Sequence, residues 1–370
     1  MSPPRSDQIE INLFGPGYGE SCAIHLGSGK WVIIDSCIDT MSRQPASLAY
    51  LGHIGVDPSK SVALVIATHW HDDHIRGLAQ VVRECTSATI CLSAALSRKE
   101  FLEVVAAFNQ RSGVTAGSGV SELAEIYAHL AQSGKHPCKA LPNRLLLSVS
   151  GAELDHGLPC EVWSLSPSDK QMDLSIAAIG NLLPTAKMTK YRMPDQSPNH
   201  LSVVTWIRLG NLAILMGADL EEPGDPDLGW SAIVENSNRP AGRAMIFKIP
   251  HHGSITGHHP RVWSELLDES PITMLTPWNR GGGLPTIADV ERIAGLSGTS
   301  LSTSTFLGGR IRKRSAVVEK QIKLTVGKLR PAQPKTGHLR IQNAGSNKID
   351  LWSVDLINDA CDLFDLLETQ

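Results

Sequence analysis

The chain has 370 residues, of which 42% are hydrophobic and 19% charged, with a formal net charge of −3. Those values exclude a chain disordered over most of its length and allow one large α/β domain with an appendage, or two modest domains; a charge balance this close to neutral names no partner. Seven cysteines, Cys22, Cys37, Cys85, Cys91, Cys138, Cys160 and Cys361, are odd in number and never spaced as Cys-x-x-Cys, which argues against a disulfide framework or a thiolate zinc site and fits a reducing compartment.

Met1 to Asp7 has no apolar signal region and no later run approaches a membrane span, so the expected location is cytoplasmic, with no membrane partner. Ile9 to Phe14 alternates weakly and predicts a first strand, closed by Gly15-Pro16-Gly17-Tyr18-Gly19. Ser21 to Leu26, Gly27-Ser28-Gly29 and Trp31 to Asp35 predict strand, tight turn and strand. Asp35 at the end of this hairpin either caps the strand or serves a neighbouring site. Ser42 to Gly55 and Ile75 to Glu84 carry helical spacing between apolar runs, an alternation that predicts layered α/β structure.

Val62 to Ala67 is short and rich in branched residues, and it reads as a buried strand. It ends in Thr68-His69-Trp70-His71-Asp72-Asp73-His74. Three imidazoles and two carboxylates within six positions cannot all pack in a core, because each polar group left without a partner costs roughly 1 to 3 kcal/mol. A divalent metal removes that difficulty. Imidazole nitrogen and carboxylate oxygen suit zinc, manganese or iron, and a loop leaving a strand lets alternate residues converge on one centre.

Ser97 to Gln110 and Val120 to Gln132 are amphipathic helical patterns separated by a Ser/Gly-rich stretch, and Ser97 to roughly Asn143 reads as a helical insertion that roofs a site or meets a partner. Leu145 to Val149 and Val162 to Pro167 resume the strands. Leu201 to Leu209 and Leu212 to Met216 form a hairpin around Gly210-Asn211, leading to Gly217-Ala218-Asp219. Met245 to Pro250 is another buried strand, and it delivers His251-His252-Gly253-Ser254. Thr273 to Thr276 and Pro285 to Ala294 predict a last strand and helix. From about Gly309, Arg310, Arg312, Lys313, Arg314, Lys320, Lys323, Lys328, Arg330, Lys335 and Arg340 accumulate against Glu319 alone. Such a run is either a solvated face or a track for a nucleic-acid backbone, with no aromatic residue interleaved for stacking. Ile349 to Gln370 is acidic and amphipathic, suited to packing or to a protein partner.

His69-x-His71-x-Asp73-His74, followed by Gly77, resembles the signature of the metallo-β-lactamase superfamily. Within it, Gly17-Tyr18-Gly19-Glu20-Ser21, Asn199-His200-Leu201-Ser202, Gly217-Ala218-Asp219 and His251-His252-Gly253-Ser254 are similar to the hydrolase domain of the competence protein ComEC and its stand-alone relatives. The resemblance spans about the first three hundred residues. It implies a four-layer αββα fold over residues 1–308, with the insertion at about 97–143 and a C-terminal extension over 309–370. It also implies two divalent ions, Zn2+ or Mn2+, held by His69, His71, Asp73, His74, Asp219 and one of the tandem histidines. Asp219 is the implied bridge, because paired cations roughly 3.5 to 4 Å apart need a shared anion. Position after the strand favours His251 as ligand and leaves His252 to face substrate as a hydrogen-bond or proton donor. Asp35 is implied to orient the metal loop without binding metal.

Gln196 stands where lactamases and lactonases carry a metal-binding histidine, so the first metal site is short of one ligand. His200 or His156 fills the gap, or that metal is loosely held; Asn199 and Gln196 are expected beside the ligands, and His200 either touches metal or substrate or stands behind them. The function implied is a metal-dependent phosphodiesterase or nuclease acting on nucleic acid or nucleotides. It would use a water whose pKa the metals lower toward about 7, in the setting of bacterial anti-phage defence. Two alternatives remain: a hydrolase of small esters, lactones or thioesters, and a subunit active only with a larger protein partner.

Overall fold

The computed structural model describes residues 1–15, 19–97, 101, 119–180, 198–279, 283–304, 315–325, 335–345 and 351–368. Two eight-stranded mixed sheets lie face to face. In ladder order the first contains Trp352–Ile357 (β15), Gly337–Asn343 (β14), Glu10–Gly15 (β1), Ser21–His25 (β2), Trp31–Ile34 (β3), Val62–Ala67 (β4), Thr89–Ser93 (β5) and Cys138–Ala140 (β6). The second contains Cys361–Asp362 (β16), Thr299–Ser302 (β13), Leu267–Leu275 (β12), Ala244–Lys248 (β11), Leu212–Met216 (β10), Thr205–Leu209 (β9), Cys160–Ser164 (β8) and Arg144–Val149 (β7).

The layers follow from the two-residue period of each strand. On β3 and β4, Val32, Ile34, Leu64 and Ile66 point into the space between the sheets, where they meet Ile214, Met216, Ile246 and Met274. The intervening Ile33 and Val65 point outward and pack with Leu51, Leu78, Leu123 and Ile126 from the covering helices. The second sheet does the same: Trp206, Leu215 and Phe247 face outward onto Trp230, Ile233, Val290 and Ile293. Strands apolar on both faces become central strands of a helix, sheet, sheet, helix stack, which is the expected fold class. Among the described residues no helix is long and apolar enough to cross a membrane.

Two expectations about the domain's edges change. Within the expected extension, the described strands belong to the sheets, since β14 is hydrogen-bonded between β1 and β15 and β16 joins the second sheet beside β13. The basic run is not one solvated face either. Arg340 is 8% exposed, and its Nε donates to Glu10 Oε2 at 2.9 Å, whereas Lys320 and Lys335 are exposed. Arg310, Arg312, Lys313, Arg314, Lys328 and Arg330 lie outside the described residues.

The proposed insertion divides similarly. Most of its first helical pattern lies outside the described residues. Its second forms the helix Gly119–Gln132, which packs on the helix Leu78–Glu84 and belongs to the outer layer, and β6 completes the first sheet. Glu122 fixes that packing by accepting from the backbone N–H of Gly77 and Ala79 at 2.9 and 3.0 Å. Gly77 itself, at φ +84°, separates two short helices where a single one over Ile75 to Glu84 was expected. That left-handed backbone favours glycine, and a Cβ there would also press on the end of the Ile38 side chain at 2.7 Å.

Candidate metal centre

β3 and β4 run parallel, as do β10, β11 and β12, and the polar residues of the centre follow their C-terminal ends: Asp35, Thr68 to His74, Asp219, His252 and Thr276. Open parallel strands place ligand-binding loops at that edge. The donor atoms of Asp73, His74, Asp219 and His252 all lie within 4.8 Å of one another, and all four residues are buried. His74 Nε2 stands 3.2 Å from Asp219 Oδ2 and 3.6 Å from Asp73 Oδ2, while His252 Nε2 stands 3.2 Å from Asp73 Oδ2 and 3.4 Å from Asp219 Oδ2.

The far nitrogen of each ring is engaged. His74 Nδ1 donates to Asp35 Oδ2 at 2.8 Å, and His252 Nδ1 donates to the carbonyl of Thr276 at 2.9 Å. Those bonds fix the tautomer and turn Nε2 toward the centre, the arrangement metal-binding histidines adopt. Asp35 does more than hold His74. It also accepts from the Thr68 backbone N–H at 2.8 Å and the Thr68 hydroxyl at 2.6 Å, so one carboxylate pins both ends of the loop. His69 Nδ1 lies 2.9 Å from Thr68 Oγ1 and 3.3 Å from Ser202 Oγ. Its Nε2 is buried with no hydrogen-bond partner, as are His74 Nε2 and Asp219 Oδ1.

The charge pattern agrees. Burial opposes ionisation of Asp219, yet His74 and His252 override it and hold the carboxyl well below its usual range. Asp73 is lowered against its own burial by the same two rings. Against desolvation, Asp219 and Asp73 raise His252 to about 10, and His74 is likewise raised well above its ordinary value. Burial first, then His74 and His71, push His69 well below its ordinary value, so it presents a neutral ring. The two carboxylates therefore favour positive charge on the facing rings, and one divalent cation answers the same charges and the unpartnered Nε2 of His74; the donor set fits such an ion.

The tandem histidines exchange their expected roles. His251 and His252 both occupy left-handed backbone, at φ 46° and 53°, and this sharp turn directs the second ring inward to Thr276 and the first outward. His251 Nδ1 lies 2.7 Å from Thr256 Oγ1 and 3.1 Å from Glu221 Oε1, and Nε2 lies 3.2 Å from Asn199 Nδ2. His252 is thus the ligand candidate, while His251 is bonded outside the converging donors. His200 joins the outer group, 3.6 Å from Glu221 Oε2, and is not among the converging donors. His71 lies against His69, ring centroids 5.0 Å apart, and belongs to neither convergent donor group found among the described residues. His156 does not reach the centre: it is anchored at the opposite end of the first sheet, where Nε2 donates to the carbonyl of Leu26 and Nδ1 accepts from Leu158 N. Gln196 lies outside the described residues.

Sequence reasoning passed over Lys248 and Glu221 and gave Glu20 no role. Lys248 is 1% exposed, ion-paired with Glu20, donates to the Ala218 carbonyl at 2.7 Å and stands 3.6 Å from Asp219 Oδ1. A lysine inside the apolar strand Met245 to Pro250 was the available signal, since an unpaired buried ammonium is rarely tolerated.

Residues 15–100 match the sequence model of the Metallo-beta-lactamase superfamily, a span holding Asp35 and His69 to His74. Among solved structures, a metallo-beta-lactamase from Cronobacter sakazakii aligns at 13% identity and TM-score 0.35, covering 64% of this chain and 76% of that one. A metallo-beta-lactamase from Novosphingobium pentaromativorans aligns at 17% identity and TM-score 0.26, covering 55% and 60%. A hydrolase of the beta-lactamase superfamily aligns at 14% identity and TM-score 0.28, covering 45% and 69%. No curated protein matches the chain in sequence. With helices outside two mixed sheets, the architecture is the metallo-β-lactamase fold.

Proposed function

We propose that the protein is a metal-dependent hydrolase of phosphodiesters in nucleic acid or nucleotides. The observation that carries the hydrolytic reading is the convergence of Asp73, His74, Asp219 and His252, with the distal nitrogens of both rings already engaged. A divalent cation held there supplies Lewis acidity toward a substrate oxygen and makes water available as a nucleophile at neutral pH. The protein's own part is to hold that geometry and to handle the proton of the leaving group. Asp35 and Thr276 orient His74 and His252, and burial excludes bulk water from the donors.

His251 is the residue we assign to the leaving group. It is one-fifth exposed beside the ligands, and Glu221 sits against its Nδ1. Burial raises the Glu221 carboxyl, but the His251 contact outweighs it and brings the value down to about 2, so an ionised carboxylate stands against the ring. Asn199 and His200 flank the pair and are suited to hydrogen-bond a phosphate. The phosphodiester class rests on the similarity of the Asn199 to Ser202 and His251 to Ser254 stretches to ComEC-type hydrolases, and on glutamine at 196. The test is cleavage of labelled single-stranded DNA, duplex DNA and RNA with manganese or zinc, beside an Asp73→Ala, His74→Ala control. Cleavage absent in the control is expected; turnover of a lactone or β-lactam without any phosphodiester cleavage would overturn the substrate class.

A further inference from the structure

We propose that Cys91 and Cys138 form a reversible oxidation site, at which a peroxide converts the two thiols into a disulfide across the edge of the first sheet. The inference stands apart from the hydrolytic reading and uses none of its residues. No spacing in the sequence pairs these cysteines; the fold does. β5 and β6 run parallel with Cys91 in register with Cys138, and β6 ends the sheet among the described residues. In-register residues on neighbouring strands present their side chains to the same face, and here both sulfurs pack into the apolar layer between the sheets. Neighbouring strands lie roughly 4.7 to 4.9 Å apart, inside the roughly 4.4 to 6.8 Å between Cα atoms that a disulfide spans. The bridge is therefore within reach without moving a strand.

The two sulfurs are unequal, which gives the oxidation a direction. The Cys91 thiol donates to Cys138, and that hydrogen bond, helped by Arg144, outweighs partial burial and brings the Cys138 thiol down to about 6. The same bond, with burial, pushes Cys91 well up. Burial also raises Cys22, Cys37, Cys85, Cys160 and Cys361, so these stay protonated. Cys138 is half-buried where the others are buried, so the thiolate is also the sulfur a peroxide can reach. It attacks a peroxide oxygen; the O–O bond breaks, hydroxide leaves and a sulfenic acid forms. The Cys91 sulfur then attacks that sulfur, the S–O bond breaks, and the Cys91 proton departs with the hydroxyl as water. The dithiol loses two electrons and the peroxide gains them. The disulfide ties β6 to β5 and closes the stretch that carries the helix Gly119–Gln132, whose first N–H donates to Asp72 in the metal loop at 2.7 Å.

The experiment treats the full chain with hydrogen peroxide, blocks the remaining thiols with iodoacetamide in urea, and maps peptides by mass spectrometry without reductant. The expected product is one cross-linked peptide joining Cys91 to Cys138, lighter by two hydrogens and released by dithiothreitol, with every other cysteine alkylated. In Cys91→Ser the Cys138 sulfenic acid lacks a partner thiol and should be trapped by dimedone, a mark that Cys138→Ser should not take. In the reduced chain, alkylation of Cys138 should have its midpoint at pH about 6. Cys91→Ala removes the hydrogen-bond donor and should move that midpoint toward the ordinary thiol value of roughly 8.5. A wild type whose Cys138 stays reduced, or pairs with a different cysteine, overturns the proposal, and the wild-type map decides this even where a variant fails to fold. A midpoint that Cys91→Ala leaves unmoved overturns the activating part given to Cys91.

Discussion

Two buried polar clusters in this protein look alike in composition and differ in how far their bonding is finished. On the outer side of the first sheet, Glu10, fully buried, has one oxygen occupied by Tyr50 and Asn12 and the other by Arg340 and Gln342, and Asn12 in turn accepts from His338. At the sheet ends, Asp73, His74, Asp219, His252 and His69 are as deeply buried, yet His69 Nε2, His74 Nε2 and Asp219 Oδ1 find no hydrogen-bond partner. The first cluster joins strands; the second leaves positions for something the chain does not supply. Buried charge alone therefore does not identify a site. Unfinished bonding among buried charges does.

The sharpest way to break this contrast is through the tandem histidines. His252→Ala is expected to lose both bound cation and turnover, while His251→Ala keeps the cation and slows turnover by roughly 100- to 10,000-fold, the range of a lost general acid. Metal content and rate measured on the same preparations decide it; equal metal loss in both would return His251 to the ligand set. On the finished cluster, Glu10→Ala leaves the Arg340 guanidinium buried without its main partner. It should cost about 3 to 5 kcal/mol in urea unfolding with metal retention unchanged. Asp35→Asn touches the support of the centre and not its donors, so metal affinity should fall by roughly 10- to 100-fold without loss of fold, read by competition with a chromogenic chelator.

The smallest effect concerns pH. Burial, reinforced by Arg340, depresses His338 to about 3, so the folded protein carries it neutral while the unfolded chain protonates it near its ordinary value of about 6.5. Its contribution is complete above that ordinary value and is lost progressively as pH falls from about 6.5 toward 3. The loss reaches about 2 kcal/mol at pH 5. His338→Asn should flatten that part of the stability profile; an unchanged slope would place the acid sensitivity elsewhere.

Much of the centre was legible because its ligands are local in sequence: a six-residue cluster after β4, an aspartate after β10 and a histidine pair after β11. The choice within the pair was not legible. It depends on two consecutive left-handed residues and on a carbonyl, that of Thr276, 24 positions away, which no spacing announces. Lys248 and Glu20 are joined only when β11 and the turn after β1 meet at the sheet ends. The C-terminal run was misread for a related reason. Composition marks Arg340 as surface, but β14 pairs with β1 across more than three hundred positions, and Glu10, itself inconspicuous, converts that arginine into an interior residue.

That long-range pairing has a consequence for how the molecule is made. A ribosome that has synthesised every donor from His69 to His252 has still not produced β14 or β16, so β1 is left as an open edge with Glu10 lacking its cation, and β13 is open on the second sheet. The donors of the candidate centre can all be synthesised while the barrier to misassociation at both edges is not yet in place, and closure comes only when β14 and β16 follow the last donor off the ribosome.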